Sequence, residues 1–591
     1  MYSQNFLWKA ENGKIMKQKN NNKINSLYFM LLSIAIIISI NIISTFYFAR
    51  LDLSSEKRFS LSKTTLDNVK NLEDVVFIQV YLDGDLPAGF KLLKNSVKEM
   101  LDEFRAYNKN VQYEFINPSA NEDKKERFKV YKQLADEGLA YYNVPVENKD
   151  GYAQKTLFPS ALITYKGKSL PLNLLVSSRN VPSEDDLNNS IQKLELNFST
   201  ILNKLVTKKV KSVAFTSGHG EISKIEIADI GYELSKSYNV SFVKLNGQLD
   251  ALNERVEVDS INTSVTNKYD LIIIAKPDSS FNENDKFILD QYIMHGGKVV
   301  WLLDGISASM DSLYASTSTV GFPSMLNIDD IIFNYGVRIN ANLVLNRNAL
   351  EIGTAEGVLR PWDFFPLALP KKGHIITNSI ETIKTQFVSS LDTISKSGLR
   401  KTVLLSTDRD CRIMPAPAII DIVDIIYGQP NLSLYRYPAQ NLGVLIEGSF
   451  ESAYKNRIID PRISENKDFD IKYTSPETKM AFFSDGDIIR NQVMNQDNGN
   501  GSIPLPLGYD RHTKKMFDNK KFLMNTLNYM LGDTNLIYLR NKELKIRLLD
   551  KNKINNERLF WQITNTVLPI ILIILLGLIL NLSKKMKYSK K

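Results

Sequence analysis

Two uncharged apolar runs set the first limit on how this chain can fold. Leu27–Phe48, LYFMLLSIAIIISINIISTFYF, holds 22 residues without a charge, and Ile563–Leu582, ITNTVLPIILIILLGLILNL, holds 20. As a helix rising about 1.5 Å per residue, each spans a hydrocarbon core of roughly 30 Å. Two buried core helices are the alternative, and the flanking lysines argue against it. Residues 1–26 carry five lysines against one glutamate, and residues 583–591 carry five lysines and no acid. Lysine near a span is retained on the cytoplasmic side. The expectation is therefore two transmembrane helices in the inner membrane, both termini cytoplasmic, and the whole region between them periplasmic. The first run is longer than the apolar part of a cleaved signal, and Tyr47 stands two places before Ala49 where a small residue would be needed, so it reads as an uncleaved anchor.

The same lysines account for the entire net charge of +9, which leaves residues 27–582 formally neutral. A basic pI here gives no reason to expect a nucleic-acid partner. The single cysteine, Cys411, forms no intramolecular disulfide, so the outer region must rest on its own cores. A chain of 591 residues is long enough for several.

Periodicity divides the outer region in two. In residues 50–206, VVFIQVYL (75–82) reads as a strand. FKLLKNSVKEMLDEFRAYN (90–108) is a helix with Leu92, Leu93, Val97, Met100, Leu101 and Phe104 on one stripe. VQYEFINP, a polar helix closed by Gly138, and a hairpin turning at Lys166-Gly167 follow, then a helix over Leu187–Val206. Strand, helix, strand, helix, hairpin resembles thioredoxin-like folds, but DGDLPAG stands where the redox dithiol would be. In residues 208–535, VKSVAFTS, YNVSFVKL, YDLIIIAKP, KVVWLLD and MAFFSDGD are near-continuous apolar strands alternating with helices. That pattern predicts a parallel sheet covered on both faces, here carrying a β-rich insertion over about 306–480. A juxtamembrane segment, 536–562, leads to the second span. The fold class expected is thus α/β, two membrane helices flanking a thioredoxin-like αβ unit and a parallel-sheet domain.

The candidate chemistry sits where the strands of such a sheet end, since ligands bind beyond their carboxyl ends. FTSGHGE, residues 215–221, offers Ser217, Gly218, His219, Gly220 and Glu221. As a nucleotide loop it has Ser223 in place of a third glycine and no phosphate-binding lysine. As a zinc site, His219-x-Glu221 lacks the paired cysteines of deaminases. As a serine elbow it has Phe215 where a glycine belongs. A tight strand-to-helix turn explains its glycines, and binding of a ligand or partner is the remaining reading. Asp485 and Asp487 in SDGD read as a helix-capping turn or a cation site. Asp304-Gly305 ends its strand as the nucleophile elbow does in glutamine amidotransferases, whose sheet this unit resembles, but with an aspartate for the thiol. His295 reads as helix-end packing with its charged form favoured by the helix dipole. No cofactor is expected.

RFSLSKTT, FTSGHGE, YDLIIIAKP, YIMHGGKVVWLLD, YGVRINANLVLN, EGSF, SDGDIIRNQ, LGYD, DNKKFLMNTLNYMLGD and IRLLDKNKINNERLFWQ occur in that order. Together they resemble the gliding-motility-associated ABC transporter accessory proteins of the GldG type, found in Bacteroidetes and often labelled substrate-binding. The resemblance implies a membrane-anchored, non-catalytic subunit working with an ABC permease and a separate cytoplasmic ATPase. Its central unit is similar to a sheet domain of intraflagellar-transport scaffold proteins, which implies interaction rather than catalysis. An envelope scaffold binding no small molecule, or an envelope hydrolase using His219 with Glu221 or Asp487, are the alternatives.

Overall fold

The computed structural model describes residues 28–39, 61–148, 151–175, 177, 182–206, 210–257, 263–353, 357–423, 431–459, 470–495, 502–541 and 551–588. It forms two compact units, Met1–Lys542 and Glu543–Lys591.

In the first unit, an apolar helix α1 (Tyr28–Ser39) covers the described part of the expected first span, of which Leu27 and residues 40–48 lie outside the described residues. The helix α2 (Lys63–Lys70) starts at Ser62, whose hydroxyl accepts from the Thr65 N–H. The strand β1 (Val76–Val80), helix α3 (Ala88–Tyr107), strand β2 (Val111–Phe115) and helix α4 (Lys124–Asp136) follow as the periodicity predicts. A hairpin that the sequence reading missed, β3 (Tyr142–Asn148) with β4 (Gly151–Leu157), precedes β5 (Ser160–Tyr165) and β6 (Lys168–Asn173). The sheet runs β2-β1-β5-β6, with β1 parallel to β2 and the other pairs antiparallel.

The α3 stripe is narrower than expected: Leu93, Val97, Leu101 and Phe104 are buried, while Leu92 is 53% exposed. One step of about 100° around the helix is enough to carry a residue from core to solvent. The expected helix over Leu187–Val206 is two, α5 (Glu184–Gln192) and α6 (Leu194–Val206). Ser183 and Asp186 close a capping box at the start of α5, and Phe198 of α6 meets Phe104 edge to face at 6.3 Å.

The larger body comprises β7 (Ser212–Ser217), α7 (Ala228–Ser235), β8 (Asn239–Lys244), β9 (Leu271–Ala275), α8 (Glu283–Met294), β10 (Val299–Leu302), α9 (Asp329–Asn334) and β11 (Ala349–Gly353). It continues with β12 (Leu359–Pro370), β13 (Leu399–Ser406), β14 (Asn441–Gly448), β15 (Thr478–Phe483), α10 (Asn519–Leu531) and α11 (Thr534–Asn541). One sheet runs β11-β12-β13-β14-β15-β10-β9-β7-β8. The five strands from β15 to β8 are parallel, as the apolar runs predict. The other half is antiparallel, so the sheet as a whole is mixed.

The region read as an insertion, about 306–480, thus supplies much of the same sheet. Leu442, Val444, Leu445 and Ile446 are buried, as in any strand covered on both faces. Uniform burial says nothing about direction, which the connections decide. Only part of this region stands aside, as in the pairings of Ser318–Pro323 with Ala418–Asp421 and of Asn342–Asn346 with Cys411–Pro415.

Two cores sandwich the sheet. Val213, Phe215, Ile273, Phe483 and Phe522 pack on one face. Ala214, Ile272, Trp301, Phe482 and Tyr292 pack on the other, where Trp301 stacks on Phe482 at 5.9 Å. Each fully buried side chain of this size contributes about 1.5–3 kcal/mol. Helix α8 is buried all round from Asp285 to Met294. Its outer face is covered by the segment after β14 and by the end of α9: Asp290 accepts from the Ser452 hydroxyl (2.7 Å) and the Ala453 N–H (2.8 Å) of the first and from the Tyr335 hydroxyl (2.8 Å) of the second.

The described residues of the second unit form one helix, α12 (Lys551–Tyr588). Its stretch Glu557–Met586 is long and apolar enough to cross a membrane and contains the expected second span. Pro569 lies within it, and Glu557 (φ −115°, ψ 15°) departs from helical geometry.

Candidate functional site

The chain leaves β7 outward to β8 and then returns to β9 on β7's other side. The loops after β7 and β9 therefore flank the point where strand order reverses, the usual crevice for a ligand. Here the protein's own residues fill that crevice. Gly218 (φ +116°) and Gly220 (φ +71°) adopt backbone that side chains disfavour, and a Cβ on Gly220 would lie 1.5 Å from Asp278 Oδ1. The His219 carbonyl accepts from the N–H groups of Asp278 (2.9 Å) and Ser279 (3.0 Å) in the β9 loop.

His219 is buried and enclosed on every side. Its ring stacks on Phe281 at 3.8 Å, Nε2 lies 3.0 Å from Asp285 Oδ2, and Nδ1 lies 3.6 Å from Glu221 Oε1. Its backbone N–H donates to Glu221 Oε2 at 2.7 Å. Asp285 also accepts from the Gly247 N–H (2.7 Å) and Asn282 Nδ2 (2.7 Å), so it ties the β7 loop, the β8 loop and the start of α8 together. Burial opposes the imidazolium, but Glu221 and Asp285 outweigh it and raise the His219 pKa above its usual value. Burial likewise pushes the Glu221 carboxyl up, and His219 with the backbone N–H groups brings it below the ordinary range. Ser217, last of β7, donates its hydroxyl to the Val243 carbonyl at 3.2 Å.

The next strand ends carry a second cluster. Lys276 follows β9, Asp304 follows β10, and Asp485 and Asp487 follow β15, so sheet order sets all four side by side. The Lys276 ammonium lies 3.0 Å from Asp304 Oδ2 and also binds Asp487 Oδ2. Arg490 Nη1 donates to Asp487 Oδ1 at 2.8 Å, and the Gly486 N–H to Asp304 Oδ1 at 2.6 Å. Asp485 caps a short 3-10 turn, Gly486–Ile489, by accepting from the Asp487 N–H at 2.7 Å, while its other oxygen accepts from Gln386 N at 2.9 Å.

Burial lowers the Lys276 pKa, but Asp304 and Asp487 outweigh it and hold the ammonium charged. Burial, with the repulsion of Asp487 and Asp304, pushes Asp485 well above the carboxylate range. Asp487 stays below it, because Lys276 and Arg490 overcome its burial. The cation these carboxylates hold is thus the protein's own lysine. Lys276 itself has φ +50°, left-handed backbone uncommon for a side-chain-bearing residue.

The open space at this end lies beside Asp304-Gly305. A cavity of about 780 Å³ runs between them and α9, with Arg338, Lys396, Arg457, Asp329 and Asp330 on its walls. Arg457 pairs with Asp330 at 2.7 Å and Lys396 donates to Asn334 Oδ1 at 3.1 Å. Of the candidate residues read from sequence, Asp304 alone borders this cavity. A volume of this size suits a small molecule or a peptide segment.

Residues 210–526, more than half of the chain and all of these strand ends, match the family model described as ABC-type uncharacterized transport system, an ABC transporter auxiliary family. The chain belongs to this family. Residues 55–164 match a second model, Domain of unknown function (DUF7088). An uncharacterized protein of Borreliella burgdorferi is 22% identical over 456 residues, covering 75% of this chain and 80% of that protein. Among solved structures, the mmIFT52 N-terminal domain aligns with 54% of this chain and 97% of its own at 13% identity, with a TM-score of 0.29.

In this auxiliary-family chain, the partners that make the two clusters were not singled out in the sequence: Lys276, Phe281, Asp285, Gln386 and Arg490. Two carried a local signal, Lys276 at the end of an apolar strand and Asp285 three residues after the Asn282 cap. His295 differs from expectation. It caps α8 with Nδ1 2.8 Å from the Gln291 carbonyl, but burial pushes its pKa down, so desolvation outweighs the dipole and the neutral form is favoured.

Proposed function

We propose that this chain is a non-catalytic, membrane-anchored accessory subunit of an ABC transport system, acting with a permease and a separate ATPase. The observation that carries it is the auxiliary-family match over the whole strand-end face. Membrane association is supported by the apolar stretch Glu557–Met586. Inner-membrane placement, cytoplasmic termini and a periplasmic main region follow from the lysine flanks. A thioredoxin-like N-terminal unit and a gliding-motility role of the GldG type are the finer reading, supported by the sequence resemblance.

In this reading the strand-end face engages a ligand or protein through the cavity beside Asp304, while Ser217–Glu221, Asp485 and Asp487 hold the neighbouring strand ends in place. The geometry disfavours a hydrolase, since the His219 ring is stacked on Phe281 and its two nitrogens face Asp285 and Glu221. The closed crevice between β7 and β9 favours a second reading, a scaffold that binds only proteins. Crosslinking in intact membranes, affinity purification of the full chain and identification of co-purifying chains tests the proposal. A permease and an ATPase are expected; recovery of neither refutes it.

A further inference from the structure

A second cleft, of about 310 Å³, lies away from the strand ends, between the N-terminal sheet unit and the larger body. Its walls include Leu175 after β6, Ile201 of α6, Tyr232 of α7, and Met524 with Arg540 from α10 and α11. The walls are mostly apolar, and the charged groups at the cleft are Glu233, Lys236 and Arg540.

These charges do not cancel. Glu233 is taken by Lys236 at 2.7 Å. Arg540 donates from Nη1 to the neutral Asn525 Oδ1 at 3.0 Å, and no carboxylate among the described residues lies at ion-pair distance from it. A guanidinium carries five N–H donors in a planar fork suited to a carboxylate or phosphate, and the half-buried Arg540 lines the cleft. Burial pulls the Arg540 pKa down, and the opposing pull of Glu233, which is shared with Lys236, is the weaker effect.

We propose that this cleft binds a small amphiphilic anion, a carboxylate or phosphate head group on a short apolar body, with Arg540 as the head-group partner. The apolar walls take the body, and the volume, at the lower bound of small-molecule sites, limits it to a short one. A free acid and the head group of an anionic lipid share this chemistry.

The test uses the full chain in a zwitterionic detergent, following thermal unfolding while octanoate, inorganic phosphate or octylamine is titrated. Octanoate is expected to raise the midpoint saturably and octylamine to leave it unchanged. Arg540→Gln should weaken octanoate binding about tenfold or more, through loss of charge-assisted hydrogen bonds. Thr200→Trp, which fills the cleft and keeps Arg540, should abolish the response, and it serves where Arg540→Gln fails to fold. In lipid nanodiscs, stabilisation by phosphatidylglycerol over phosphatidylcholine that Arg540→Gln removes assigns the anion to a lipid; octanoate binding without it assigns a free acid. Equal responses of wild type and Arg540→Gln, equal effects of octanoate and octylamine, phosphate binding as tightly as octanoate, or a retained response in Thr200→Trp would each overturn the proposal.

Discussion

Lys276→Met removes the ammonium that sits between Asp304 and Asp487 while keeping the unbranched stem on the same left-handed backbone, so the charge is the variable. The three side chains are 17%, 10% and 3% exposed, which places the pair among buried ones. Breaking a buried pair by removing one partner costs about 3–5 kcal/mol. Asp487 keeps Arg490 at 2.8 Å, and Asp304 keeps the Gly486 N–H, so the low end applies, about 3 kcal/mol. For a body of this size that lowers the thermal midpoint by roughly 4 °C.

The assay is thermal unfolding of the full chain in detergent at neutral pH, repeated toward acid. Burial already raises the Asp304 pKa and Lys276 opposes that rise, so removing Lys276 raises it further. A carboxyl with a raised folded pKa destabilises only where it is charged, so the deficit of the variant shrinks as pH falls. Adding Asp304→Asn to Lys276→Met should recover about half of the loss, since the amide keeps the acceptor for Gly486 and carries no charge. A midpoint within about a degree of wild type, or strictly additive losses in the double variant, refutes the reasoning.

His219→Asn removes a cation whose folded pKa is raised, so wild type should exceed the variant most below about pH 6.5, with the difference lost as pH rises through the folded value; midpoints measured from pH 5 to 9 check the sign. Gly220→Ala should be severe and Gly218→Ala mild, about 1 kcal/mol, because only at Gly220 does the new Cβ meet Asp278 in addition to the positive φ. Asp278→Ala should partly rescue Gly220→Ala in the same unfolding assay. Asp290→Leu should leave the Tyr335 and Ser452 hydroxyls and the Ala453 N–H without their acceptor and cost about 3 kcal/mol. Limited proteolysis should then cut after β14 faster than in wild type.

The sequence by itself determined the elements whose identity is written in local pattern. Apolar runs such as LIIIA became buried parallel strands, and FTSGHGE became the turn its glycines require. Its place at the end of a parallel strand was equally legible. So was the apolar stretch near the C-terminus.

What only the tertiary structure decided was everything that joins distant segments. It made β11 to β14 the antiparallel part of the same sheet, because strand direction follows from connections rather than from burial. It closed the β7–β9 crevice by setting Phe281 and Asp285 on His219 from 62 and 66 residues away, and it seated Lys276 among Asp304 and Asp487. A charge network needs partners brought within a few ångströms, and a linear pattern fixes the type of each group but not the distance between them.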